Sequence, residues 1–460
     1  MIDVEQLQDR LRISHFGKDG TVQFKEVPIP RSEKFKWDQA GSDRRDPFFL
    51  SWDGKPVKKV KTGFLNKFRV EEFLATLGDS YLQDVYEFNY PDIWFCDIEV
   101  EVNDIFPDPD LAATPVLTIA LVNSKGECFV LGTKPLSGNQ TSSIQQKLID
   151  YTDGRIKDIS FQYLYFPTEA EMLDSAFSHW FLKAPLLTGW NFVNFDWKFL
   201  INRAKRCGVD VSQCSLVKKM KDDNIPVHKV IVDYLDLYKK WDRVIKVKEN
   251  SKLDTVALAA TGISKVKYNG TFMDLYTTDF ETYVYYNVVD TILVYLIDKK
   301  LKTMQTFLML GNITKVEAMK AFSPIWMTEA ILTREFFKRR RVVANINKAD
   351  KNKAFEGAYV KTPQKGLYEW IATFDFASLY PSTMRQWNIS PEAFMGRNID
   401  IPDDKKWIKT ASGSVFDNSQ DSVMRTVLTD FFGKRKVRKT QAFEIEREVD
   451  ILKKLMIAKK

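Results

Sequence analysis

The pattern of apolar and polar positions changes character along the chain. Residues 1 to 91 carry loop signals, PIPRSEK and WDQAGSDRRDP, and a basic stretch, KPVKKVKTGF. From residue 92 onward, IWFCDIEVEV, VLTIALVNS and ECFVLGT read as three strands. EAEMLDSAFSHWFL reads as helix, LLTGWNFVNFD opens on a strand, and WKFLINRAKRCG is a further helix. Strands followed by alternating helices and strands predict an α/β layer domain. A helical section covers about 280 to 340, and EGAYVKTPQKG then leads into a strand at 368 to 375. In the last segment, Ile445, Val449, Leu452 and Met456 are spaced four, three and four apart, as one face of a helix requires. No cap signal stands near Lys460, so something is expected to follow that helix or to pack there.

Length and composition set the scale. At 460 residues the chain has room for three domains of about 150 residues each. With 44% hydrophobic and 13% aromatic residues it can bury substantial cores. The net charge of +7 admits a polyanionic partner but is equally that of a solvated, mildly basic surface. Cysteines stand at 96, 128, 207 and 214 without a CxxC pair, and there are three histidines, none at metal spacing. Zinc sites and a disulfide framework are therefore not expected, and buried thiols in a reducing compartment are. The start, MIDVEQLQDRLR, lacks an apolar signal region, and no apolar run reaches the ~18 residues of a membrane span. A soluble, cytoplasmic protein is expected.

Candidate chemistry begins in FCDIEV. Asp97 and Glu99 are two apart on a predicted strand, so both side chains leave on one face. Two carboxylates so placed repel unless a cation lies between them, and all-oxygen ligands suit Mg²⁺ or Mn²⁺. A solvated strand face is the plainer reading of this pair alone. Asp196 follows an apolar strand in NFVNFD, where it could equally cap a helix. In YVYYNVVD, Tyr286 and Asp290 lie one helical turn apart, as a surface pair also could.

Taken together, D-x-E, N-x3-F-D and Y-x3-D within about 200 residues resemble the DEDD exonucleases of the tyrosine subtype, which have an RNase H-like fold. In-line phosphodiester hydrolysis uses two divalent ions about 3.5–4 Å apart, and several anionic ligands must hold them. The resemblance implies that Asp97, Glu99, Asp196 and Asp290 are those ligands and that Tyr286 orients the attacking water. IVDYLDLYKK at 231–240 is similar to the strand–helix junction of family B polymerases of the T-even bacteriophage type. Likeness to those enzymes implies that Phe106, in FPDP, wedges between terminal bases, and that Asn191 belongs to the second exonuclease motif and contacts DNA.

FDFASLYPS is similar to motif A of family B DNA polymerases, D-x-x-S-L-Y-P-S, matched at Asp375, Ser378, Leu379, Tyr380, Pro381 and Ser382. A strand end entering a proline turn would explain Pro381 and Asp375, but not the whole string. The resemblance implies that Asp375 and the carbonyl of Phe376 bind the catalytic ions. It implies too that the amides of Ser378, Leu379 and Tyr380 cradle a triphosphate, and that the Tyr380 ring excludes a 2′-hydroxyl. EGAYV is similar to the small-residue turn between exonuclease and palm, with Gly357 and Ala358 close to template. FFGKRKVRK resembles the fingers helix that grips the triphosphate, with Arg435 and Lys439 as its phosphate ligands. The 422–460 segment has 11 Lys and Arg against 5 Asp and Glu, which a solvated helix face would also show.

The implied organisation is an N-terminal domain at 1–91, an exonuclease domain at 92–302, and a helical segment at 303–346 returning to the N-terminal domain. A partial palm at 347–421 and partial fingers at 422–460 complete it. Motif B and the second palm aspartate are not in the sequence. The expected function is therefore the N-terminal part of a DNA polymerase, with a proofreading exonuclease, two ions per site, and nucleotidyl transfer only with a C-terminal polymerase half. Primer–template DNA, single-stranded 3′ ends and dNTPs are its expected partners, and a sliding clamp is admitted. The setting is the cytoplasm of a phage-infected bacterial cell. The alternatives are a stand-alone 3′→5′ exonuclease, which has no use for motif A, and a DNA-binding subunit with decayed sites, which has no use for four carboxylates and Tyr286.

Overall fold

A computed structural model describes the chain except for residues 42–44, 103–106, 243–244, 246–249, 269, 345–358, 401–405 and 460, and the side chains of 457–459. Expectations for Phe106, Gly357 and Ala358 lie outside the described residues. The chain folds as two compact units, residues 1–29 with 78–328 and residues 30–77 with 329–460.

The first unit is built on a six-stranded sheet. Its central meander is Ile93–Val100, Val116–Asn123 and Glu127–Gly132, paired antiparallel. Ser160–Tyr165 adds parallel to one edge, and Leu186–Gly189 followed by Val230–Asp233 adds parallel to the other. This is the α/β layering that the alternation of apolar runs predicts. Period-two alternation sorts the side chains of Ile93–Val100. Trp94, Cys96, Ile98 and Val100 join a core that includes Phe177, Phe181 and Trp197. Ile93, Phe95, Asp97 and Glu99 leave on the other face, where Phe95 meets Tyr295 edge-on at 5.6 Å.

Tyr295 belongs to the helix Phe280–Leu301. Asp279 starts this helix by accepting the Thr282 amide at 3.1 Å, and Lys299 and Lys300 end it, where cations suit the helix dipole. Apolar residues surround nearly its whole circumference because it is buried along its length, and Asn287 and Asp290 are polar exceptions within that burial. A smaller meander, Asp3–Gln6, Arg10–Phe16 and Val22–Pro28, belongs to the same unit.

In the second unit, Phe35–Gln39 pairs with Val57–Lys61, and Phe35, Trp37, Val57, Val342 and Ala344 form a small core. The buried Arg69 side chain bridges Glu72 and Glu33 at 2.5 and 2.7 Å, and Trp37 Nε1 also donates to Glu72 at 2.9 Å. Phe394–Arg397, Ser414–Asp417 and Trp407–Lys409 form an antiparallel sheet, followed by the helix Val423–Lys459.

The strand expected at 368 to 375 does not form. Residues 359–378 run without a strand, and Trp370 and Phe374 are 99% and 93% exposed. An apolar run gains its strand only by pairing, and no described strand pairs with this one. The stripe Ile445, Val449, Leu452 and Met456 is helical as expected and lies exposed.

Candidate active site

Three of the four acidic candidates converge. One oxygen from each of Asp97, Glu99 and Asp290 lies within 4.8 Å of the others, close enough to share an ion. The pleat of Ile93–Val100 supplies the first two, and the helix Phe280–Leu301 brings the third against them. Asp290 Oδ1 is buried with no hydrogen-bond partner among the described residues, an arrangement that invites a cation.

Asp196 is outside that trio but adjacent to it. It begins the helix Asp196–Arg206, and its Oδ1 accepts the Ile98 amide, between Asp97 and Glu99, at 3.1 Å. The parallel ladder with Leu186–Gly189 stops at the Phe95–Thr188 pair, which leaves the Ile98 N–H to this carboxylate. Close packing sets the approach, because a Cβ on Gly189 would lie 2.3 Å from the Cys96 carbonyl oxygen. Asn191, at φ 61°, occupies the left-handed turn before Asp196. Asp233 holds that turn by accepting the amides of Asn191 and Val193 at 3.1 and 3.2 Å.

The electrostatics of the cluster are those of a cation site. Burial and the charges of Asp196 and Asp290 push Asp97 well above the usual carboxylate range. Burial, Asp97 and Asp290 do the same to Glu99. Burial raises Asp290 against the pull of Lys265, and pushes Asp196 up to about 7.

Lys265, which no motif in the sequence singles out, donates to Asp290 Oδ2 at 2.5 Å and to the Tyr286 hydroxyl at 3.3 Å. Burial opposes its charge, but Asp290, Tyr286 and Asp97 hold its ammonium above the ordinary lysine value. The Tyr286 ring is packed by Tyr268 and Phe272, with centroids at 5.4 and 5.2 Å. Asn287 donates from Nδ2 to Asp97 Oδ2 at 2.8 Å. Its only trace in the sequence is an amide inside the apolar helix that carries Tyr286 and Asp290. Asp233 could have been found as the cap between an apolar strand and a helix.

In the second unit, Asp375 and Phe376 lie in the exposed 359–378 segment. Ser378, at φ 54°, precedes the helix Leu379–Gln386, and Ser382 Oγ donates to the Ala377 carbonyl at 3.1 Å. Tyr380 is 68% exposed. Arg435 and Lys439, one turn apart, line a groove of about 470 Å³ with Arg385, Phe432 and Lys436. The Arg385 guanidinium stands 4.8 Å from the Phe432 ring centroid.

The chain thus combines an α/β layer that carries clustered carboxylates on a central strand with a second unit that carries a basic groove. Two family models match it: DNA polymerase family B, exonuclease domain, over residues 75–256, and DNA polymerase family B over residues 326–459. The chain belongs to DNA polymerase family B. The exonuclease match takes in Asp97, Glu99 and Asp196 and ends before Lys265, Tyr286 and Asp290.

Similar proteins include the DNA-directed DNA polymerase of Escherichia phage RB69, 26% identical over 99% of this chain and 55% of that protein. The DNA-directed DNA polymerase of Enterobacteria phage T4 is 29% identical over 87% of this chain and 48% of its own length. DNA polymerase 1 of Saccharolobus solfataricus is 27% identical over 80% and 42%. The chain thus spans about half the length of the curated relatives it matches. No helix among the described residues is long and apolar enough to cross a membrane.

Proposed function

We propose that the first unit is a 3′→5′ proofreading exonuclease and that the second carries part of a nucleotidyl-transfer site. The observation that supports the nuclease most is the meeting of Asp97, Glu99 and Asp290, with a buried Asp290 oxygen that has no hydrogen-bond partner among the described residues. Two Mg²⁺ or Mn²⁺ ions, held by these residues and Asp196, would supply Lewis-acid stabilisation and a nucleophile for phosphodiester hydrolysis. Tyr286, its ring clamped by Tyr268 and Phe272, presents its hydroxyl to orient the attacking water. Lys265 offsets part of the acidic charge around Asp290. Phe106 and Asn191 complete the reading as contacts to the DNA end.

Incubation of the chain with 5′-labelled single-stranded DNA tests this. A ladder of products shortened from the 3′ end, formed only with Mg²⁺ or Mn²⁺, is expected; shortening from the 5′ end or without a divalent ion contradicts it.

For nucleotidyl transfer, Asp375 and the Phe376 carbonyl would hold the ions that stabilise charge on the triphosphate. The turn amides of Ser378, Leu379 and Tyr380, with Arg435 and Lys439, hold a dNTP triphosphate. Gly357 and Ala358 would contact the template strand. Both ions of such a site need charge-stabilising ligands, so a C-terminal polymerase half is the proposed partner. Primer–template DNA and a sliding clamp join it, in the cytoplasm of a phage-infected cell. In the chain completed by that half, Tyr380→Ala should admit ribonucleotides into an extended primer, and unchanged sugar selectivity would remove the gate role.

Exonuclease activity from this chain alone is the reading favoured beside it. The described carboxylates of the first unit already converge, whereas Asp375 lies in an exposed segment without a strand.

A further inference from the structure

We propose that Asn287 is a positioning residue of the exonuclease site, its amide locked by Thr118 so that it fixes the carboxylate of Asp97. This rests on the nuclease reading above. Asn287 is fully buried on the helix Phe280–Leu301, one turn before the end of the Tyr286–Asp290 motif. Its Nδ2 donates to Asp97 Oδ2 at 2.8 Å, and its Oδ1 accepts from Thr118 Oγ1 at 3.0 Å. Thr118 is also fully buried and stands directly opposite Glu99 in the antiparallel ladder. One amide therefore ties the helix to both central strands at the level of the two carboxylates.

The chemistry fixes which way round the amide lies. A carboxylate holding a cation only accepts hydrogen bonds, so Asn287 must turn its NH₂ to Asp97 and its carbonyl to Thr118, whose hydroxyl then donates. Asparagine is a poor residue for a helix interior, and a buried amide is costly unless bonded. A leucine would fill the same space but leave the Asp97 carboxylate free to rotate, and a further carboxylate here would add repulsion. The residue type is explained by the bond to Asp97, which sets the plane in which that carboxylate meets an ion. Groups that orient metal ligands in this way contribute about 10–100-fold in metal affinity or activity.

Helix-to-sheet adhesion is the competing account of the same two bonds, and ion binding separates them. Mn²⁺ binding is measured by titration calorimetry, and hydrolysis of single-stranded DNA is followed across Mn²⁺ concentrations. The proteins compared are wild type, Asn287→Leu, Thr118→Val and Thr118→Ser. The expected result is a rise of about 10–100-fold in half-saturating Mn²⁺ for Asn287→Leu. Thr118→Val should move the same way by less, and Thr118→Ser, which keeps the hydroxyl, should restore the wild-type value. The rate deficit of Asn287→Leu should shrink as Mn²⁺ approaches saturation.

Unchanged Mn²⁺ dependence in Asn287→Leu, with only its melting temperature lowered, would overturn the proposal. Should that variant not fold, Thr118→Val decides by the same readout. A wild-type protein with no affinity for Mn²⁺ overturns the nuclease reading and this proposal with it. Wild-type affinity with unchanged variants overturns this proposal alone.

Discussion

Asp97→Ala should lower the rate of 3′→5′ DNA degradation by about a thousandfold, the loss expected when several kcal/mol of transition-state charge stabilisation are withdrawn. The magnitude follows from its place. Asp97 is the carboxylate on which the other elements close: Asn287 holds its oxygen, Asp196 caps the amide next to it, and Glu99 and Asp290 lie within ion-sharing distance. The fold should survive the change, because the neighbouring core residues Cys96 and Ile98 point to the opposite face. A folded Asp97→Ala protein with wild-type degradation would refute the site.

Divalent ions should stabilise the protein more at high pH than at low pH. In the ion-free fold, burial raises Asp97, Glu99 and Asp290 above their ordinary values and Asp196 to about 7. The folded chain therefore keeps protons that the unfolded chain has released. That part of the stability is fully present below the unfolded values and is lost as pH rises through about 7 for Asp196. An ion that takes the protons' place restores stability where they have left. At pH 8, Mn²⁺ about 100-fold above its dissociation constant should raise the melting temperature by about 5–10 °C. At pH 5.5, where protons compete for the same oxygens, the same Mn²⁺ concentration should give a clearly smaller shift. Equal shifts at the two pH values would show that the raised carboxylates are not the ligands.

How much of this was legible in the sequence varied with the range of the interactions involved. Asp97 and Glu99 could be read as sharing a face because strand period fixes that within three residues. Tyr286 and Asp290 follow in the same way from helix period. The strand expected at 368 to 375 failed for the converse reason. Its apolar pattern describes one partner of a pairing, and no described strand supplies the other.

Lys265, Asn287 and Thr118 were not legible as site residues, and Asp233 was legible only as a helix cap. Each acts through a partner distant in sequence, and each would read as an ordinary loop, helix or strand residue if met alone. Asn191 shows the ambiguity of a motif residue. The sequence resemblance gives it a DNA contact, whereas the fold gives it a left-handed turn held by Asp233.

The most direct test is a crystal of the protein soaked in Mn²⁺ and measured at a wavelength where manganese scatters anomalously. Anomalous density within about 2–2.5 Å of oxygens from Asp97, Glu99 and Asp290, and displacement of the Lys265 ammonium from Asp290, are expected. Ordered carboxylates at this position with no anomalous density among them would contradict the account.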